Sequence, residues 1–233
     1  YLQAITAMSD SLPCFKAYDV RGRVPDEINE DVAHRIGRAY AEVIDPGSVV
    51  VGHDIRLTSE SIKGALIDGL RDSGVNVVDI GLCGTEEIYF ATAHLGVGGG
   101  IVVTASHNPK DYNGMKFVRE GSKPISGDSG LAEIRHLTEQ RRGRDSSSKG
   151  SYEATSTLSP YIQHLLSYVD IAKLSPLSVV CNAGNGGAGR VIDVLEPALP
   201  FTFSKVHHDA NGHFPNGVPN PLLEENREAT AGV

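Results

Sequence analysis

The feature that most constrains the fold is a regular alternation of amphipathic stretches and short apolar runs in the first half of the chain. Three apolar runs are bounded by turn residues, as buried strands are: 48–52, 75–81 and 99–105. Apolar side chains recur at helical spacing before each run: 30–44, 59–73 and 85–96. Asn29 and Thr85 are candidate N-caps for the first and third helices. Such alternation predicts an α/β fold with right-handed crossovers, a mostly parallel sheet and helices on both faces.

The pattern changes after the third strand, where the connection to residues 115–120 is too short for a crossover helix. A strand there is expected to pair antiparallel, so the sheet is predicted to be mixed. A helix capped near Asp128 should follow it. Residues 141–151 are charged, small and without periodicity, which indicates an exposed linker. We therefore predict a first domain over residues 12–150.

The remaining residues repeat the alternation with fewer elements. Helices are predicted at 159–169 and 189–195, and strands at 177–184 and 201–207. This is too little for a full core, so we predict a partial second α/β domain of similar type over residues 151–233. Residues 1–11 lack the basic region of a signal peptide and are expected to be an extension, with the native start at Met8.

Charge and cysteine usage exclude several classes of protein. The formal net charge of -8 argues against a nucleic-acid surface. No apolar run is long enough to cross a bilayer. Cys14, Cys83 and Cys181 are odd in number and widely scattered, so neither a disulfide framework nor a zinc site is expected. We predict a cytoplasmic protein without nucleic-acid or membrane partners.

The polar turn "TASHNPKDYNG" after the third strand raises the main functional question. Ser106 lies at the carboxyl end of that strand, where ligands collect in α/β sheets. A plain turn is one interpretation, because these residue types favour turns. A serine-hydrolase nucleophile is disfavoured, because a triad takes its base from a separate part of the chain and Gly-x-Ser-x-Gly is absent. A serine that carries a phosphoryl group is the third.

A phosphoserine in an acidic chain needs cations close by. His107 is adjacent in sequence, and Lys116 lies across the expected hairpin. The segment "FKAYDVRGR" adds Lys16, Arg21 and Arg23, and it is too polar for a core and too compact for a linker. A solvated basic turn is the alternative interpretation of that segment.

Four segments occur in an order and at separations that resemble the α-D-phosphohexomutase superfamily: "FKAYDVRG", "TASHNPKDYNGMKF", "VVCNAGNG" and "HFPNGVPNPLLEENRE". The likeness runs from Cys14 to about Arg227. The segment "GTEEIYFATAHLG" most resembles the bacterial phosphomannomutase branch, which feeds GDP-mannose synthesis. The resemblance implies domain I of that superfamily plus part of domain II. It also implies an isomerase that interconverts mannose 6-phosphate and mannose 1-phosphate through a bis-phosphorylated sugar.

The resemblance further implies residue roles. Ser106 would be the phosphoserine, with Mg²⁺ on one of its phosphate oxygens. The other catalytic positions would be Lys116 as general acid or base, His107 steadying the transferring phosphoryl group, and Arg21 from the Tyr-Asp-x-Arg-Gly run. The phosphate environment would include Lys16, Tyr18 and Asn108.

One departure from the family pattern affects the expected activity. The Asp-Gly-Asp-x-Asp-Arg loop, which supplies the remaining metal ligands in the family, does not occur in this sequence. The sugar-recognition and phosphate-binding domains of four-domain members do not occur either. We therefore predict that the 233-residue chain alone does not catalyse the mutase reaction, and that its missing partners are those C-terminal domains.

The run "GNGGAG" suggests a different function. Gly184, Gly186 and Gly189 match the Gly-x-Gly-x-x-Gly fingerprint between a strand and a helix, and Asp209 follows about 20 residues later. An NAD-binding module is thus a rival hypothesis, which NADH binding would discriminate. A non-catalytic fragment that keeps the fold is a third hypothesis.

Overall fold

The computed structural model describes residues 11–233, so the expected extension, apart from residue 11, and the start at Met8 lie outside the described residues. Six strands form the first sheet: β1 (Val20–Arg23), β2 (Ser48–His53), β3 (Asn76–Leu82), β4 (Gly99–Val103), β5 (Tyr112–Arg119) and β6 (Tyr152–Ala154). Their spatial order is β1-β5-β4-β2-β3-β6. β2 pairs in parallel with β3 and β4, whereas β5 is antiparallel to both β4 and β1. The prediction of a mixed, mostly parallel sheet is confirmed.

Four helices cover this sheet: α1 (Glu30–Ile44), α2 (Ser59–Asp72), α3 (Thr85–His94) and α4 (Leu131–Glu139). The side chains of α1, α2 and α4 share one apolar cluster with Val49 and Val51 of β2. Val50, between them, belongs to a second cluster with Ile88 of α3. Alternate residues of a strand point to opposite faces, so helices lie on both faces and the buried centre of β2 is apolar on both sides.

Two helix starts differ from the sequence prediction. Asn29 caps α1 as expected, since its Oδ1 accepts from the Val32 N–H at 3.0 Å. The prediction that Thr85 caps α3 is wrong, because Gly84 is the N-cap and Thr85 is already helical. α4 begins after Gly130 and not near Asp128, because residues 127–129 form a separate turn of 3₁₀ helix.

The segment predicted as a linker packs against the end of α2. The Ser146 N–H donates to the Asp72 carbonyl at 3.1 Å, and the Gly150 N–H donates to the Arg71 carbonyl at 2.8 Å. β6 follows directly and pairs in parallel with β3. The sequence did not indicate this strand, and the predicted boundary at residue 150 falls just before it. The first sheet is therefore completed by residues that the sequence assigned to the second domain.

The second half of the chain contains α5 (Leu158–Leu166), β7 (Leu177–Asn182), α6 (Ala188–Leu195), β8 (Phe201–Val206) and α7 (Glu228–Ala231). β7 and β8 form a two-stranded parallel sheet. The buried apolar side chains of this half are Ile162 and Phe214, which agrees with the thin core expected from the sequence. No helix within residues 11–233 is both long and apolar enough to span a bilayer.

Candidate active site

Ser106 lies in a tight turn after the carboxyl end of β4. Its φ is 52°, in the left-handed region that non-glycine residues rarely adopt. Two hydrogen bonds fix its backbone: its N–H donates to Thr104 Oγ1 at 2.9 Å, and its carbonyl accepts from Arg56 Nη2 at 2.8 Å. The side chain is exposed, with Oγ 3.4 Å from His107 Nδ1. The turn therefore presents a hydroxyl to solvent on a fixed backbone.

A cleft of about 320 Å³ opens beside Ser106, between the first sheet and the second half of the chain. Asp54, Cys83 and Thr104 line one wall, and they directly follow the parallel strands β2, β3 and β4. Tyr161 of α5 and the first residue of α6 contribute to the other wall. The carboxyl ends of the parallel strands thus meet at a cavity, where α/β sheets commonly bind ligands.

Lys116 and Arg21 converge on Asp19, a carboxylate that the sequence analysis did not single out. Asp19 Oδ2 lies 3.5 Å from Lys116 Nζ, and Asp19 Oδ1 lies 3.4 Å from Arg21 Nη2. Arg21 stands opposite Gly114 in the sheet, and the Gly114 carbonyl accepts from the Thr104 N–H at 2.9 Å. Two inter-strand spacings, about 10 Å, therefore separate the backbones of Arg21 and Thr104.

The other predicted phosphate neighbours are more dispersed. Lys16 Nζ donates to the Pro13 carbonyl at 2.7 Å, and Tyr18 is 78% exposed. Asn108 closes the turn, because its Nδ2 donates to the Ala105 carbonyl at 2.6 Å. Within the described part of the chain, Ser106 is the one residue predicted for phosphoryl transfer that lines the cleft, and Gly186 of the glycine fingerprint lines it as well. The cationic residues lie outside it.

Arg56 is the residue near Ser106 that sequence reasoning missed most clearly. Its side chain is 1% exposed and lies against the carbonyl oxygens of the Ser106 turn. Asp54 Oδ2 is 3.3 Å from Arg56 Nε and accepts from the Thr104 hydroxyl at 2.6 Å. Burial lowers the pKa of the Arg56 guanidinium, and Asp54 opposes that shift. The run "GHDIR", an Asp-x-Arg pair directly after a buried strand, is the sequence signal that could have identified it.

The strands β1 to β5 and the Ser106 turn lie in a segment shared with known proteins. Residues 13–144 match the family model described as phosphoglucomutase/phosphomannomutase, alpha/beta/alpha domain I. The chain belongs to this family. The resemblance inferred from the sequence motifs is therefore confirmed.

Individual members of the phosphoglucomutase/phosphomannomutase family extend the match over most of the chain. A phosphomannomutase from Escherichia coli is 58% identical over 228 residues, covering 94% of this chain and 50% of the relative. One from Vibrio cholerae is 56% identical over 232 residues, covering 95% and 50%. The crystal structure of a family protein from Burkholderia thailandensis aligns with a TM-score of 0.87 and 36% identity over 95% of this chain and 50% of that one. The chain spans about half the length of the curated relatives it matches.

A glycine-rich turn joins β7 to α6 in this member of the phosphoglucomutase/phosphomannomutase family. A Cβ on Gly189 would collide with the His208 carbonyl oxygen, so close packing alone requires glycine there. The buried Asn185 side chain donates through Nδ2 to the Asp209 carbonyl at 2.9 Å. Asn185 thus links the turn to the residue that the dinucleotide fingerprint would assign to a ribose.

Cys83 lines the cleft but is expected to be chemically inert. Burial raises the pKa of its thiol to about 12 and that of Cys14 to about 11. Because the thiolate is the reactive form, neither should react with iodoacetamide at pH 8, whereas the half-buried Cys181 should. Mass spectrometry should find Cys181 alone modified in the native chain and all three cysteines after unfolding. Labelling of native Cys83 would contradict the burial of that cleft wall.

Proposed function

We propose that this chain carries the phosphoserine-bearing part of a phosphohexomutase. The reaction would interconvert mannose 6-phosphate and mannose 1-phosphate, with glucose phosphates as alternative substrates, and it would feed GDP-mannose synthesis in a reducing cytoplasm. The observation that carries this proposal is the Ser106 turn, in which an exposed hydroxyl stands on a doubly hydrogen-bonded backbone beside the cleft. The relatives named phosphomannomutase support the choice of sugar. Residues 12–150 would form the phosphoserine domain and residues 151–233 part of a second.

The proposed step transfers a phosphoryl group from phosphoserine 106 to a free hydroxyl of the hexose phosphate. The bond from phosphorus to Ser106 Oγ breaks while a bond to the sugar oxygen forms, giving a bis-phosphorylated sugar. After reorientation, the phosphoryl group at the other end returns to Oγ. Lys116, a third of whose side chain is exposed beside Asp19, would take the hydroxyl proton and return one to the leaving oxygen.

The positively charged side chains would stabilise the negative charge of the phosphate and phosphoryl groups. His107 is adjacent in sequence to Ser106, and its Nδ1 lies 3.4 Å from Ser106 Oγ, so it would steady the transferring phosphoryl group. Arg21 would bind phosphate oxygens after exchanging its 3.4 Å contact with Asp19 for them. Lys16 and Tyr18, both at the surface, would contribute to phosphate binding, and Asn108 would shape the turn.

When bound, Mg²⁺ would neutralise charge on the transferring phosphoryl group. This chain would offer it a phosphate oxygen on Ser106. Asp54, one of two carboxylates that line the cleft with Glu86, already accepts three hydrogen bonds, from the Arg56 N–H, Ser59 Oγ and Thr104 Oγ1. Residues 11–233 contain no group of three or more His, Cys, Asp or Glu side chains able to hold a metal. We infer that an Asp-Gly-Asp-x-Asp-Arg loop outside these 233 residues would complete the site.

The proposal predicts that the chain alone is inactive and that a completed protein is active. The test compares the 233-residue chain with a chimera that joins it to the second half of the Escherichia coli relative. Conversion of mannose 1-phosphate to mannose 6-phosphate is followed by ³¹P NMR with Mg²⁺ present. The intact Escherichia coli relative is the control. Turnover by the chain alone would refute its predicted inactivity, and an inactive chimera that binds Mg²⁺ and hexose phosphate would refute the assigned reaction.

A dinucleotide-binding module is the second candidate function. The parallel pair β7 and β8 flanks α6, with "GNGGAG" between the first strand and the helix, which is the arrangement that the fingerprint requires. This candidate requires that the same 233-residue chain bind NADH, whereas the mutase proposal requires that it does not. Fluorescence titration of NADH in the experiment above separates the two.

A further inference from the structure

The Arg56 guanidinium binds four carbonyl oxygens of the turn that carries Ser106. Nη2 donates to the carbonyls of Ser106 and Asn108 at 2.8 and 2.6 Å. Nη1 donates to those of Pro109 and Tyr112 at 2.7 and 2.8 Å. One side chain from the loop between β2 and α2 therefore organises the whole turn that follows β4.

This arrangement depends on the shape of a guanidinium. Arginine presents several donors in a rigid plane, whereas the lysine ammonium is a single centre with three donors. A lysine at position 56 carries three donors on one nitrogen, so it could not bind all four carbonyls. Leaving backbone carbonyl groups without a hydrogen-bond donor costs free energy where water cannot replace the donor. The turn would therefore rearrange without the arginine.

The amide side of Ser106 is fixed by a second branch of the same network. The Thr104 hydroxyl has one proton, which it donates to Asp54 Oδ2 at 2.6 Å. Its lone pairs are then free to accept the Ser106 N–H at 2.9 Å. Asp54 is in turn paired with Arg56 at 3.3 Å. The network thus holds both backbone polar groups of Ser106 without binding its Oγ, at a φ of 52° that serine does not favour by itself.

An aromatic side chain from the second half of the chain lies against the same guanidinium. The ring of Phe214 lies 5.5 Å from Arg56 Cζ, and Phe214 is 8% exposed. Its backbone is held by an N–H bond to the Asn211 carbonyl at 3.0 Å. A Cβ on Gly212 would collide with the Ile55 carbonyl oxygen, so this segment lies directly on the turn that carries Arg56. An aromatic ring over a guanidinium attracts it and keeps water away from its hydrogen bonds.

We propose that Arg56 is a positioning residue that fixes the backbone of the Ser106 turn, and that Phe214 seals this contact from across the cleft. The catalytic consequence rests on the proposed function, because phosphoryl transfer requires the serine oxygen, phosphorus and acceptor oxygen to be in line. A displacement of about 1 Å can cost about 100-fold in rate. The second half of the chain would then contribute to catalysis by stabilising a turn in the first.

Hydrogen exchange of the 233-residue chain tests the structural part. The reporters are the amides of Ser106, Asn108 and Tyr112, whose acceptors lie within the turn. In Arg56→Lys these amides should exchange about tenfold or more faster, while amides in the centre of β2 and β4 keep their rates. The matched control is Arg71→Lys, because the Arg71 Nε also donates to a carbonyl, that of Gly150, and its guanidinium also lies over a ring, that of Tyr152.

Kinetics of the chimera test the catalytic part. We expect kcat of Arg56→Lys to fall about 100-fold with little change in KM, because a misplaced turn affects transfer and not sugar binding. Arg71→Lys should retain both constants. Phe214→Leu should also accelerate exchange of the turn amides and lower kcat, each by a smaller factor than Arg56→Lys. Phe203→Leu, on β8, is its control.

The outcomes separate the two proposals. If Arg56→Lys leaves the three turn amides unchanged, or accelerates the sheet amides equally, Arg56 does not position the turn. If exchange accelerates but kcat stays within twofold or threefold of wild type, the positioning does not serve catalysis. If the wild-type chimera does not interconvert hexose phosphates, the proposed function fails, and the exchange result still decides whether Arg56 and Phe214 hold the turn.

Discussion

Replacement of Ser106 by alanine is expected to lower the mutase activity of the chimera by about four orders of magnitude or more. The reason is chemical, because alanine has no oxygen that could carry the phosphoryl group between the two ends of the sugar. The variant should still fold, since the contacts that fix this turn involve backbone groups of residue 106 and not its hydroxyl. Conversion of mannose 1-phosphate is measured by ³¹P NMR, and the phosphorylated peptide is mapped by mass spectrometry.

Ser122 provides a matched control for this substitution. It is a second serine in the left-handed region, with a φ of 60°, so alanine meets the same backbone preference there. Its hydroxyl donates to the Tyr89 carbonyl and is not part of the Ser106 turn. Ser122→Ala should therefore retain activity. Ser106→Ala with activity near that of wild type, or phosphate mapped to another residue, would contradict the phosphoserine proposal.

Replacement of Arg190 by methionine is expected to lower the free energy of unfolding of the chain by about 3 kcal/mol. The Glu87 carboxylate on α3 is 1% exposed and pairs through Oε2 with Arg190 on α6. Its Oε1 accepts from the Thr157 hydroxyl at 2.9 Å. Without Arg190 a buried negative charge would keep one neutral donor, and the second half of the chain would lose an anchor beside the cleft. Urea denaturation followed by circular dichroism measures the loss.

A second substitution distinguishes the buried charge from lost packing. In the double variant Glu87→Gln/Arg190→Met no charge is buried, so most of the lost stability should return. Lys205→Met is the control, because the ion pairs of Lys205 with Asp193 and Glu196 lie at the surface, where such pairs contribute little. A double variant as unstable as Arg190→Met would show that packing, and not the charge of Glu87, accounts for the loss.

The sequence predicted the elements whose pattern is local. α1 could be read from its apolar spacing and from Asn29, and the antiparallel direction of β5 followed from the short connection after β4. β6 could not be predicted, because its three residues, Tyr152 to Ala154, are exposed and have no alternating pattern. They form a strand because β3 offers an open edge beside them, which is a long-range condition.

The candidate site divides in the same way. The turn residues around Ser106, their place after a buried strand and the family motifs are all properties of contiguous sequence. The sequence therefore predicted that the Ser106 hydroxyl lies at the carboxyl end of a strand, with His107 beside it and Lys116 across the expected hairpin. It could not show that Lys116 contacts Asp19, because those residues lie 97 positions apart in the chain.

Apart from β1, β6 and α7, the sequence by itself determined the order of helices and strands, and it also determined the mixed sheet and the Ser106 turn, because periodicity and turn chemistry act over a few residues. Only the tertiary structure decided how that turn is held. The acceptors of Arg56 are backbone carbonyls, which every residue possesses and which leave no mark in a sequence. The contacts of Phe214 and Arg190 could not be predicted from the sequence either, because their partners Arg56 and Glu87 lie more than a hundred positions earlier in the chain. Their contacts arise from the packing of the two halves around one cleft.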